Sequence, residues 1–152
     1  MRIILAMVVL ALSSLAAAAC PEVSQGGTEI RYTAAEIYQA KSFDVVAGGS
    51  QNLSKCNFPG LGTRTGYVAT APDFELYYSR TGGYALEIRI ISECDSVLLI
   101  NTANGNWYYD DDDAGAGDAK IRLGSPSEGW YDIWIGTYNA SSCDARMILE
   151  SF

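Results

Sequence analysis

Five carboxylates crowd into Trp107-Tyr-Tyr-Asp110-Asp111-Asp112-Asp113-Ala-Gly-Ala-Gly-Asp118. The glycines between them let the backbone turn back on itself. Calcium takes roughly six to eight oxygens from carboxylates and carbonyls. Alternation at Asp111 and Asp113, with Asp110 and Asp112 between and a return at Asp118, could present several of these from one turn. The spacing is not that of an EF-hand, which needs a late Glu and flanking helices. A calcium ion here would be structural, because neutralising the loop lets its hairpin close. The competing reading is a solvated acidic turn whose adjacent aspartates repel one another and terminate a strand.

Aromatic residues are the second source of chemistry. Trp107, Tyr108, Tyr109, Trp130, Trp134 and Tyr138 fall in two segments that read as strands. In the later one, Tyr131, Ile133 and Ile135 make one face, which leaves Trp130, Asp132, Trp134 and Tyr138 on the other. Sugar-binding modules stack flat rings on sugars, so Trp130, Trp134 and Tyr138 are the candidate ligand-binding residues if they lie exposed in one plane. Otherwise the rings pack under a loop or between sheets.

Catalysis has little to work with. The chain has no histidine, which removes Ser-His-Asp and Cys-His catalysis and the commonest zinc ligand. Tyr38, Asn52 and Gly117 stand three residues before Lys41, Lys55 and Lys120, so no Ser-x-x-Lys nucleophile exists either. Paired carboxylates, as in a glycosidase, are the remaining route. No pair stands out among the 18 acidic residues. The expectation is a protein that is not an enzyme, with a small carboxylate hydrolase acting on glycan or peptide as the alternative and a carbohydrate-binding module as a third reading.

The framework that must position these residues begins after an export signal. Arg2 is followed by an apolar run, Ile3 to Leu15, and then by Ala16 to Ala19, the layout of a secretory signal peptide cleaved after residue 19. The run is shorter than the roughly 20 residues a membrane-spanning helix needs. Cys20 stands where a bacterial lipoprotein would be acylated, but Ala17 replaces the large aliphatic residue usual three positions earlier, so lipidation is the less favoured outcome. The expected product is a periplasmic or secreted bacterial protein of residues 20–152, long enough for one domain with its own core.

Four cysteines, Cys20, Cys56, Cys94 and Cys143, favour two disulfides in an exported chain. Three pairings are open, and Cys20 with Cys56 and Cys94 with Cys143 is preferred. Loss of Arg2 takes the net charge from −8 to about −9. Nucleic acid and anionic membrane surfaces, which require clustered Lys and Arg where here the basic residues are scattered singly, are therefore not the expected partners, and the chain after the signal has no transmembrane segment. A protein or glycan outside the cytoplasm remains.

Thr33-Ala-Ala-Glu36 has the form of a capping box, predicting one short helix over Ala34 to Gln39. Beyond it, apolar residues recur with period two between Gly, Asn, Asp and Ser clusters. The predicted strands are Ser42–Val46, Gly66–Thr70, Phe74–Ser79, Tyr84–Ile91, Ser96–Asn101, Asn106–Tyr109, Lys120–Leu123, Trp130–Tyr138 and Ala145–Phe152. Turns at Thr81-Gly-Gly83 and Asn104-Gly105 suggest that neighbours pair. A faint echo of Gly83-Tyr84 to Cys94-Asp95 in Gly129-Trp130 to Cys143-Asp144 suggests two similar hairpins. The predicted fold class is all-β, an antiparallel two-sheet sandwich of jelly-roll type with one N-terminal helix.

From Asp73 to Phe152 the order PDFELYY, GYALEIRI, CDSVLLINTANGNWYYDDDD, GWYDIWIGTY and ARMILESF resembles the bacterial pre-peptidase C-terminal domain, a secreted β-sandwich. The resemblance rests on a Cys-Asp-x-x-Leu strand, a Gly hairpin, an aspartate-rich loop and a Gly-aromatic-Tyr strand before a final strand. It implies an accessory role, since such domains are appended to exported enzymes and are not the catalyst. Here the segment from Cys20 to Pro72 stands in front of it, and it is expected to complete the same sandwich.

Overall fold

The computed structural model describes residues 20–152; the predicted signal peptide lies outside the described residues. Eleven strands form two sheets: β1 (Thr28–Thr33), β2 (Lys41–Ala47), β3 (Gln51–Asn52), β4 (Tyr67–Val68), β5 (Phe74–Ser79), β6 (Leu86–Ser92), β7 (Ser96–Asn101), β8 (Trp107–Asp110), β9 (Lys120–Leu123), β10 (Gly129–Thr137) and β11 (Cys143–Ser151). The smaller sheet runs β2-β11-β6-β9 and is antiparallel throughout.

The larger sheet is organised around β10. One edge of β10 pairs with β7, which carries β8. Its other edge pairs first with β5 and then, at Thr137, with β4, which carries β3. Between those two partners the backbone of Ile135 would be stranded. Its N–H instead donates to Asp73 Oδ2 at 2.7 Å, and its carbonyl accepts from Gly48 N at 3.1 Å. A side-chain carboxylate thus stands in for a missing strand, as the requirement to satisfy buried backbone groups demands.

Alternation explains why the strands pack as they do. Leu76, Tyr78, Leu98, Ile100, Tyr131, Ile133 and Ile135 of the larger sheet face Ile88, Ile90, Met147 and Leu149 of the smaller one, in the main core between the layers. The opposite face of the larger sheet is also covered at one end. Leu53, Cys56 and Phe58, from the excursion between β3 and β4, bury Val97, Leu99 and Trp134 in a second core.

Two disulfides join Cys20 to Cys56 and Cys94 to Cys143, the preferred pairing. The first staples the segment that begins at Cys20 onto the second core. The second links the β6–β7 and β10–β11 connections, each of which crosses from one sheet to the other. The bonds fit an extracytoplasmic protein. No helix among the described residues is long and apolar enough to cross a membrane. Cys20, held in a disulfide, offers no free thiol for acylation.

Several expectations need correction. The helix over Ala34–Gln39 reduces to one 3-10 turn, Glu36–Tyr38. Its capping box does form: Thr33 N donates to Glu36 Oε2 at 2.7 Å and Glu36 N to Thr33 Oγ1 at 3.2 Å. Only four residues, Ile37 to Ala40, separate Glu36 from β2, so the cap closes a turn and nothing longer. The sheets are not wholly antiparallel, because β1 lies parallel to β5 from Thr28↔Phe74 to Thr33↔Ser79. Strands 28–33 and 51–52 were not predicted.

Neighbour pairing holds for β7–β8 and β3–β4 but fails at Thr81-Gly-Gly83, where the chain leaves β5 in one sheet for β6 in the other. The two echoed segments are likewise sheet-to-sheet crossings and not hairpins. At the β7–β8 turn only Gly105 has positive φ (75°). Gly105 N donates to Thr102 O at 2.7 Å, so the turn starts at Thr102 and glycine follows it, the pattern of a type I turn with a bulge.

Candidate functional site

The acidic loop joins β8, in the larger sheet, to β9, in the smaller one. It carries three successive left-handed residues, Gly115, Ala116 and Gly117, with φ of 85°, 57° and 80°. This tight reversal closes the loop through Asp118 N to Gly115 O at 3.0 Å and Ala114 N to Asp118 O at 2.8 Å. Of the five predicted ligands the loop brings three together: one carboxylate oxygen each of Asp110, Asp111 and Asp112 lies within 4.8 Å of the others.

Asp110 is held from behind, its Oδ2 accepting from Asp113 N at 3.0 Å and Lys120 N at 2.8 Å. Asp111 Oδ2 accepts from the Tyr109 hydroxyl at 3.2 Å. The donor set is oxygen only, which suits a hard cation such as calcium.

Asp113 and Asp118 do not join them. Asp113 is exposed and contributes its backbone N–H to Asp110. Asp118 turns to the opposite side, where its Oδ1 accepts from Ser92 N at 3.0 Å and Ser92 Oγ at 2.8 Å. It therefore fastens the loop to the end of β6.

A residue absent from the sequence reading of this site takes its place. Asp95, next to the Cys94–Cys143 bridge, has its carboxyl pushed up by desolvation and then by the charges of Asp111 and Asp112. Only the second disulfide, by fixing the β6–β7 connection, could have pointed to Asp95.

The three candidate ligand-binding rings do not share a platform. Trp134 is fully buried in the second core, stacked on Trp107 at 5.5 Å, with its indole N–H donating to Thr70 O at 3.3 Å. The excursion that covers it has no apolar periodicity that would reveal where it docks. Trp130 is 38% exposed, but the Arg31 guanidinium lies 4.6 Å over its ring and Tyr77 meets it edge-on at 5.2 Å. Tyr138 is 41% exposed and belongs to the acidic corner, its N–H donating to Asp95 O at 2.8 Å.

One carboxylate pair does emerge from the topology. Glu75 and Asp132 stand directly opposite each other across β5 and β10, with Glu29 opposite Glu75 on the other side. Like charges in this position repel, and Asp132 is raised to about 6, first by desolvation and then by Glu75. Glu75 Oε2 accepts from Gly27 N at 3.0 Å. The pair lies on a sheet face, and neither acid lines the cavity beside Asp44, Ile91 and Asp144 or the one beside Asn104 and Ser127.

No protein-family model matches the chain, and no curated protein matches it.

Proposed function

We propose that this chain is a non-catalytic accessory or binding domain, exported to the periplasm or beyond, whose acidic corner is braced by calcium. The observation that carries the reading is the convergence of Asp110, Asp111 and Asp112 within 4.8 Å, with Asp95 close enough to feel two of them. Calcium would neutralise a corner where β8, β9 and the β6–β7 connection meet. Asp110 and Asp111 are pre-oriented for this by Lys120 N and Tyr109. The resemblance of residues 73–152 to a domain that accompanies exported enzymes supports the accessory role. The lack of histidine agrees with it.

The test is thermal melting of metal-stripped protein with and without millimolar calcium, followed by calorimetric titration. A rise of several degrees that magnesium does not reproduce, lost in Asp111→Asn, is expected. Identical curves with and without calcium overturn the corner as a cation site.

A hydrolase has one observation in its favour, the opposed Glu75 and Asp132. Such an enzyme would cleave glycan or peptide substrates and lose that activity in Glu75→Gln. Absence of turnover by the parent protein removes this reading.

A further inference from the structure

A cavity of about 280 Å³ opens at the end of the sandwich, between the β7–β8 turn of the larger sheet and the Arg122–Ser127 segment leaving the smaller one. Its chemistry differs from that of the surrounding surface. The chain has a net charge of −8, yet no carboxylate lines this cavity. The polar residues that line it include Asn104, Asn106, Tyr108, Ser125, Ser127 and Arg122.

Its walls are fixed from within. The Thr102 hydroxyl donates to Asn106 O and accepts from Asn106 N, both at 3.2 Å. The Tyr131 hydroxyl donates to Ser127 O at 2.6 Å. Among the described residues, the Asn104 and Asn106 amides and the Ser125 and Tyr108 hydroxyls make no side-chain hydrogen bond within the protein, so their donors and acceptors are available.

This set selects a ligand class. A carboxamide offers a donor and an acceptor side by side, the complement of two adjacent hydroxyls on a sugar ring. Tyr108, partly exposed, supplies a flat apolar face beside them. Arg122 is a weak anion clamp here, because it pairs with Glu87 at 3.5 Å and lies 4.0 Å over the Phe152 ring. A phosphate or nucleotide would require stronger positive charge. The volume lies just below the usual range for small-molecule sites, roughly 300–1,000 Å³, which suits one ring and not an extended chain.

We infer that this cavity binds a single neutral sugar ring at the end of a glycan. The inference gives a ligand class to the binding role proposed above and rests on that role. It uses none of the residues of the acidic corner.

The experiment is a ¹H–¹⁵N NMR titration of the purified protein with methyl glycosides of glucose, galactose, mannose and N-acetylglucosamine. Affinity in the millimolar range is expected for one ring. At least one glycoside should shift the amides of Asn104, Asn106, Tyr108 and Ser127 saturably, and Tyr108→Ala should weaken it by about tenfold or more. No saturable shift with any of the four, or binding unchanged in Tyr108→Ala, overturns the site. Calcium melting on the same sample separates the two proposals. A calcium response without a sugar response sinks only the cavity, and a sugar response without a calcium response sinks only the acidic corner.

Discussion

Burial raises the carboxyls of Asp73 and Asp132 to about 6, desolvation being the larger cause in each. Both titrate near 3.8 when unburied, so between about pH 4 and 6 the native state holds more protons than the unfolded chain. Stability is then greatest at the acid end of that window and falls as pH rises through it. For the well-buried Asp73 the full effect is about 2–3 kcal/mol. Asp73→Asn keeps an acceptor for Ile135 N without the charge. It should melt above the parent at pH 7.5 and together with it near pH 3, below the unfolded value; a constant difference across pH would contradict this origin. Tyr78 offers a simpler case, since its hydroxyl is buried without a partner. Tyr78→Phe removes only that desolvation cost, and chemical denaturation should find it about 1 kcal/mol more stable. Individual site residues were legible where a local pattern carried them. The aspartate run announced Asp110 to Asp112, while Asp95 and the Glu75–Asp132 pair depend on strands that meet only through the topology.

The strands themselves were legible from alternation, and Phe74–Ser79, Ser96–Asn101 and Lys120–Leu123 have the predicted bounds. The misses share a physical cause. In β1 the residues Thr28 and Glu29 are exposed and no residue is buried, so an edge strand gives no alternating signal. The two residues of β3 are too short to give any. Partner choice was hidden for a different reason, because a Gly-Gly turn is equally compatible with a hairpin and with a crossing between sheets. At Gly136 the register of β10 becomes a measurable constraint. A Cβ there would lie 2.1 Å from Tyr67 O and 2.6 Å from a Val68 methyl, so β10 cannot approach β4 with any larger residue. Gly136→Ala should cost about 1–3 kcal/mol through overpacking. Gly124→Ala, with open space around its added carbon, should stay within about 0.5 kcal/mol of the parent. Equal midpoints in urea would show that β4 yields easily.

At the scale of the whole molecule the two disulfides separate two kinds of cohesion. They close segments of similar span, 36 and 49 residues, so loop entropy alone assigns each about 4 kcal/mol. Their positions differ. Cys94–Cys143 ties together two connections that carry the chain between the sheets, and its loss relaxes the main core and the acidic corner at once. Cys20–Cys56 holds the covering layer over Trp134, leaving the contacts between the sheets untouched. Replacing Cys20 and Cys56 by Ser should therefore expose Trp107 and Trp134 in a separate early transition, seen as a red shift in tryptophan emission below the main melt. Replacing Cys94 and Cys143 should lower a single transition in which fluorescence and far-ultraviolet dichroism move together. If the first variant also melts in one step, the outer layer and the sandwich are one cooperative unit, and the stacked tryptophans belong to the same core as Leu98 and Ile133.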